Sequence, residues 1–202
     1  MLFAVSAAGI LQGLNPSLGR RPGHDPEAAP RPAPEARTTP PGRPELRSAF
    51  TGPAAAGMEA IRARDGAFEP EPFLEGARAA YEMIVENFAK GDRDALKGLL
   101  SEAVFRRYDA DIAQREDSGQ TRSIDVVRIA KSEIQEAEID GDNAKVRVLF
   151  AVDLTGVTQD AEGRVIEGDP NRITRTEEVW TFERDLTRSD PNWRLCGVSA
   201  VG

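Results

Sequence analysis

Carboxylates are the commonest groups in this chain that could do chemistry. Asp109 and Asp111, Glu116 and Asp117, and Glu177 and Glu178 stand in close pairs. Two carboxylates held together can act as acid and base, or can bind Ca²⁺. Each pair here reads as charge on a solvated face. The one histidine, His24, lies in a proline-rich stretch. The rest of the chain therefore lacks the commonest general base near neutral pH, a histidine triad and any His–Glu metal spacing. The one cysteine, Cys196, excludes an internal disulfide and a cysteine zinc cluster, and its apolar neighbours suit a buried, inert thiol. No glycine loop ends in Lys-Ser or Lys-Thr, which argues against nucleotide hydrolysis. No catalytic residue, cofactor or metal is expected.

Aromatic and aliphatic side chains are the other candidates. Tyr81, Ile84, Phe88, Phe105, Tyr108, Phe150, Trp180 and Trp193 are expected to line a common interior. Two arrangements stay open: a filled core, or a pocket admitting an acyl chain or a peptide side chain. A ketosteroid-isomerase-like enzyme would use Tyr81 and Tyr108 as proton donors. It would also need an inward carboxylate, and no acid falls clearly on the inward face.

The element that must position these groups is a helix over Pro72 to Asp92. Phe73, Ala77, Ala80, Tyr81, Ile84 and Phe88 recur at three and four residues and so share one face. Pro72 suits a first turn, Gly91 a left-handed stop, and Asp92 the cap of a following helix. Shorter helices are expected over 50–64, capped by Thr51, over 92–100, and from Ser101 to about 116. Phe68 should plug back onto the domain.

The period then changes to two. Residues 122–139 read as a strand whose phase slips, which predicts a bulge. Asp140-Gly141 is a hairpin turn. Ala144, Val146, Val148, Phe150, Val152 and Leu154 alternate on one face of the next strand. Residues 156–171 form a hairpin arm or loop, and strands follow at 172–185 and 193–201. Helices before a four-stranded antiparallel meander predict an α+β fold, with the helices laid on one face of a curved sheet.

Charge divides the chain. Its 202 residues carry a net charge of −8, but residues 1–48 hold six arginines against four acids. The remainder holds 20 basic against 30 acidic residues, which argues against nucleic acid as a partner. Residues 1–19 read as an apolar membrane anchor that spans or dips into the bilayer, with Arg20 and Arg21 at the membrane interface. By the positive-inside rule the chain that follows stays cytoplasmic. Residues 20–48 include eight prolines and form an extended linker. Residues 49–202 are the folded domain.

Two stretches resemble a known family. "FLEGARAAYEMIVENFAKGDRDALKGLLSEAVFRRY" at 73–108 and "EEVWTFERDLTRSDPNWRLCGV" at 177–198 are similar to the Tim44-like family. Leu18-Gly19-Arg20-Arg21 and the proline-rich linker also resemble its bacterial members. The resemblance implies a nuclear transport factor two-like cone and an adaptor at the bacterial inner membrane, not an enzyme. It further implies a membrane contact through the N-terminus, a protein partner, and a link to protein translocation or membrane-protein assembly. The chaperone-tethering region of the mitochondrial members has no counterpart here. The alternative function is a cone that binds a lipid or small molecule, or an enzyme of the ketosteroid-isomerase kind.

Overall fold

The computed structural model describes residues 50–201. The expected anchor at 1–19, Arg20, Arg21 and the linker at 20–48 lie outside the described residues.

Four helices precede four strands: α1 Ala55–Arg64, α2 Pro70–Lys90, α3 Arg93–Leu99, α4 Glu102–Asp117, β1 Thr121–Asp140, β2 Asn143–Gln159, β3 Val165–Asp185 and β4 Arg194–Ala200. Helix α2 begins at Pro70, two residues before the expected start, and Pro72 still falls in its first turn. It ends where Gly91 turns left-handed at φ 75°. The Gly91 and Asp92 amides then reach back to the carbonyls of Phe88 and Asn87 at 3.3 and 2.9 Å. Asp92 caps α3 by accepting from the Ala95 amide, and Ser101 caps α4 by accepting from the Val104 amide. Thr51 does not cap α1: the N-cap position is Ala54, and no side chain bonds there.

Arg115 of α4 secures the end of α2. It is 7 % exposed. Its guanidinium donates to the Phe88 and Ala89 carbonyls at 2.7 and 3.2 Å, and to Asp111 at 3.1 Å. It also lies 4.8 Å from the centre of the Phe88 ring. Two carbonyls at the helix end thus gain a cationic donor.

The sheet is an antiparallel meander in the order β1-β2-β3-β4. The expected phase slip in β1 is observed as register shifts at three places along its pairing with β2. These let a 20-residue strand bend around the helices. On β2 the alternating face from Ala144 to Leu154 is buried. The stretch 156–171 proves to be a hairpin arm, with β2 continuing to Gln159 and β3 resuming at Val165. The core lies between the inner face of the sheet and α1, α2 and α4. The architecture is the α+β arrangement expected, four helices with a curved four-stranded antiparallel sheet.

Candidate functional site: an apolar groove beside a buried carboxylate

Helix α2 carries two faces of different use. One turns Tyr81, Ile84, Val85 and Phe88 into the core. The other presents Pro72, Gly76, Ala80 and Met83 to a groove of about 460 Å³, closed opposite by Leu99, Pro191, Asn192 and Trp193. Phe68, Phe73 and Phe182 form its aromatic base. The rings of Phe73 and Trp193 stand 4.9 Å apart and those of Phe68 and Trp193 6.0 Å, both strongly tilted. Phe68 is therefore the expected plug, 4 % exposed. Met83 is 43 % exposed at the groove.

Polar groups occur at one end of the groove. Arg184 donates to Asp65 at 2.6 Å, an ion pair in which both side chains are largely buried. Glu69 meets Arg62 at 2.9 Å. A smaller hollow of about 220 Å³ next to Arg184 gathers Arg188 and Arg194 as well. Those two arginines are paired with Asp185 and Asp190 at 3.0 and 3.5 Å, so the hollow has no surplus positive charge.

Gly76 sits mid-helix, and a methyl group at its Cβ position would meet nothing within 4 Å. Glycine costs a helix interior about 0.5–1 kcal/mol relative to alanine. Nothing in the described domain requires that cost. Gly76→Ala is expected to raise stability by about 0.5–1 kcal/mol, read as an increased urea midpoint at constant slope. A loss of stability would show that the helix backbone is crowded there.

The candidate lining residues divide between groove and core. Trp193 lines the groove. Tyr81, Ile84, Phe88, Tyr108, Phe150 and Trp180 are buried in the core, and Phe105 packs against it half-buried. Tyr81 stands 4.4 Å from Trp180 and 5.0 Å from Phe150, ring centre to ring centre.

A carboxylate lies among them. Glu178, expected on a solvated face, is 2 % exposed. Only its neighbour Glu177 faces solvent. The correction follows from strand parity, because Glu178, Trp180 and Phe182 are two residues apart and share the inner face. Its Oε2 accepts from Trp180 Nε1 at 3.0 Å. Burial raises its pKa above the ordinary carboxylate range, and the Trp180 bond opposes this only in part. Burial, then the nearby Glu178, pushes the Tyr81 and Tyr108 hydroxyls well above their usual range. The Cys196 thiol is pushed up to about 12, by burial first and by Glu183 second, so it is not a thiolate near neutral pH.

A family model, the Tim44-like domain, matches residues 54–200. The chain belongs to the Tim44-like domain family. The human mitochondrial import inner membrane translocase subunit TIM44 is 26 % identical over 139 residues, which is 67 % of this chain but 31 % of the human protein. The uncharacterized protein RP434 of Rickettsia prowazekii is 23 % identical over 145 residues, covering 72 % of this chain and 59 % of that protein. The chain thus spans about a third of the human relative's length. Among solved structures, the intermembrane space region of the chloroplast protein ARC6 aligns with TM-score 0.48 and 11 % identity, over 66 % of this chain and 97 % of that one. An NTF2-like family protein from Streptomyces avermitilis aligns with TM-score 0.35 and 15 % identity, over 66 % and 99 %. Among the described residues of this Tim44-like protein, no helix is long and apolar enough to cross a membrane.

Proposed function

We propose that this Tim44-like protein is a non-enzymatic adaptor. Residues 1–19 hold it at the bacterial inner membrane, Arg20 and Arg21 sit among lipid headgroups, and 20–48 is a linker. The domain at 49–202 presents the α2 groove to a protein partner on the cytoplasmic side. The observation that carries this reading is the groove itself. Its α2 side is small and unfilled at Gly76, its base is aromatic, and Met83 and Trp193 edge it. The exposed side of α2 next to it carries Glu71, Glu75 and Glu82, and Glu86 paired with Lys90. An apolar anchor residue on a basic segment of the partner fits both features. The relationship to a translocase subunit supports a role near protein translocation or membrane-protein assembly. Tethering would raise the local concentration of the domain at its partner.

The test is site-specific photo-crosslinking of the full chain in intact membranes. A photoreactive residue at Met83 is expected to give a defined protein adduct, and one at the exposed Ile166 on the hairpin arm none. Gly76→Trp, which fills the groove from an open position, should reduce the Met83 adduct at least about tenfold while the protein stays folded. An adduct unaffected by Gly76→Trp would overturn the groove as the docking site. Recovery of lipid in place of protein at Met83 would favour the lipid-binding alternative.

A further inference from the structure

Glu178 takes no part in the groove, and no opposite charge accounts for its burial. No arginine or lysine forms an ion pair with it among the described residues, and its one hydrogen bond comes from Trp180. Three polar atoms in its neighbourhood are buried without a hydrogen bond of good geometry: Glu178 Oε1, Tyr81 Oη and Thr176 Oγ1, the last two close enough to interact. They come from two different layers. Thr176 and Glu178 stand on β3, and Tyr81 stands on α2, fully buried and stacked beside Trp180. Tyr108 of α4 faces the same carboxyl from a third element. Across the ladder, the residues opposite Glu178 are Phe150 on β2 and Ala200 on β4, neither of which titrates.

We propose that Glu178 is a proton-binding lock between sheet and helices: closed, the domain holds it as the neutral acid, and losing that proton loosens α2 from β3 at Tyr81.

The chemistry is one of donors and acceptors. A neutral carboxyl offers an O–H donor as well as an acceptor, and the two hydroxyls can rotate to either role. The three groups can then satisfy one another with small movements. An ionised carboxylate would stand in the core with one neutral N–H donor and no cation, which the low dielectric there strongly disfavours. The sign for stability follows. The folded state holds this proton more tightly than the unfolded chain does, so its contribution is complete below the ordinary glutamate value of about 4.3. It is lost as pH rises through the higher value of the folded state. Carboxylates on the surface act oppositely. Glu116, held low by Arg93, and Asp140, held low by Lys145, contribute above their unfolded values and lose that contribution as pH falls.

The comparison that isolates Glu178 is therefore full-length wild type against Glu178→Gln, across pH, so that the surface groups cancel. Infrared spectroscopy across a pH series should show one protonated-carboxyl band in wild type that persists after the exposed carboxylates have ionised, and no such band in Glu178→Gln. The urea midpoint of wild type should fall relative to that of Glu178→Gln as pH rises, with a difference slope of at most one proton. Tyr81→Phe keeps the ring and removes one hydroxyl that the neutral carboxyl bonds, so it should move the pH of that loss downward without abolishing it. Parallel profiles for wild type and Glu178→Gln, or a band retained in Glu178→Gln, would overturn the proposal. If Glu178→Gln does not fold, the shift in Tyr81→Phe decides, and an unshifted profile counts against it.

Discussion

Trp180→Ala is expected to lower the unfolding free energy by about 3–5 kcal/mol, the range for deleting a large buried aromatic. Trp180 is 2 % exposed and touches three other rings, with centres 4.4 Å away at Tyr81, 5.9 Å at Phe150 and 6.3 Å at Phe182. Its removal opens a void where α2 meets β2 and β3, and close-packed neighbours cannot collapse fully to fill it. It also deletes the donor to Glu178, leaving that carboxyl with no hydrogen bond. Trp180→Phe separates the two losses, since it retains most of the ring and drops the N–H. It should cost less, with about 1–3 kcal/mol attributable to the lost hydrogen bond. Urea unfolding of the three proteins at one pH gives the values. A loss under about 1 kcal/mol for Trp180→Ala would mean that this cluster does not hold the layers together.

Gly57→Ala is expected to destabilise by about 3 kcal/mol, at the upper end of the overpacking range. Helix α1 passes so close to β1 that a Cβ on Gly57 would collide with the carbonyl of Ala137. Backbone cannot step aside as a flexible side chain can. The helix must lift, and with it Met58 and Ile61, which are buried beneath it. Gly98→Ala is the control, because a Cβ there meets nothing within 4 Å. It should be neutral or slightly stabilising. The two variants distinguish crowding from helix propensity, since propensity alone favours alanine at both sites. Equal thermal and urea stability for Gly57→Ala and the parent would show that α1 sits further from the sheet.

Both predictions rest on contacts that local pattern cannot supply, and the same boundary runs through the site. Periodicity sufficed where one residue's neighbours along the chain decide its place. The apolar stripe of α2, its stop at Gly91, the caps at Asp92 and Ser101, the Asp-Gly hairpin and the alternation of β2 are all local. The slipped phase of β1 likewise foretold its bulges. Glu178 was within reach of the same rule, because alternation from Trp180 and Phe182 turns it inward. Its charge masks that signal, because a glutamate is almost never fully buried without a partner.

Tertiary structure alone decided the rest. That Tyr81, Thr176 and Glu178 meet depends on how α2 lies across β3, and residues nearly a hundred positions apart carry no local signal of it. The Arg184–Asp65 pair and the Arg115 cap of α2 are likewise long-range. Gly57 reads in sequence as a poor helix residue, and only the approach of β1 gives it a purpose. Gly76 reads the same way, and only the open groove beside it shows that nothing in the described domain needs it. By itself the sequence determined which faces are apolar and in what order the elements come, because side-chain periodicity is a property of each element alone. How those faces meet depends on crossing geometry and register between elements. That decided which aromatic groups fill the core, which line the groove, and that a carboxyl is sealed among them.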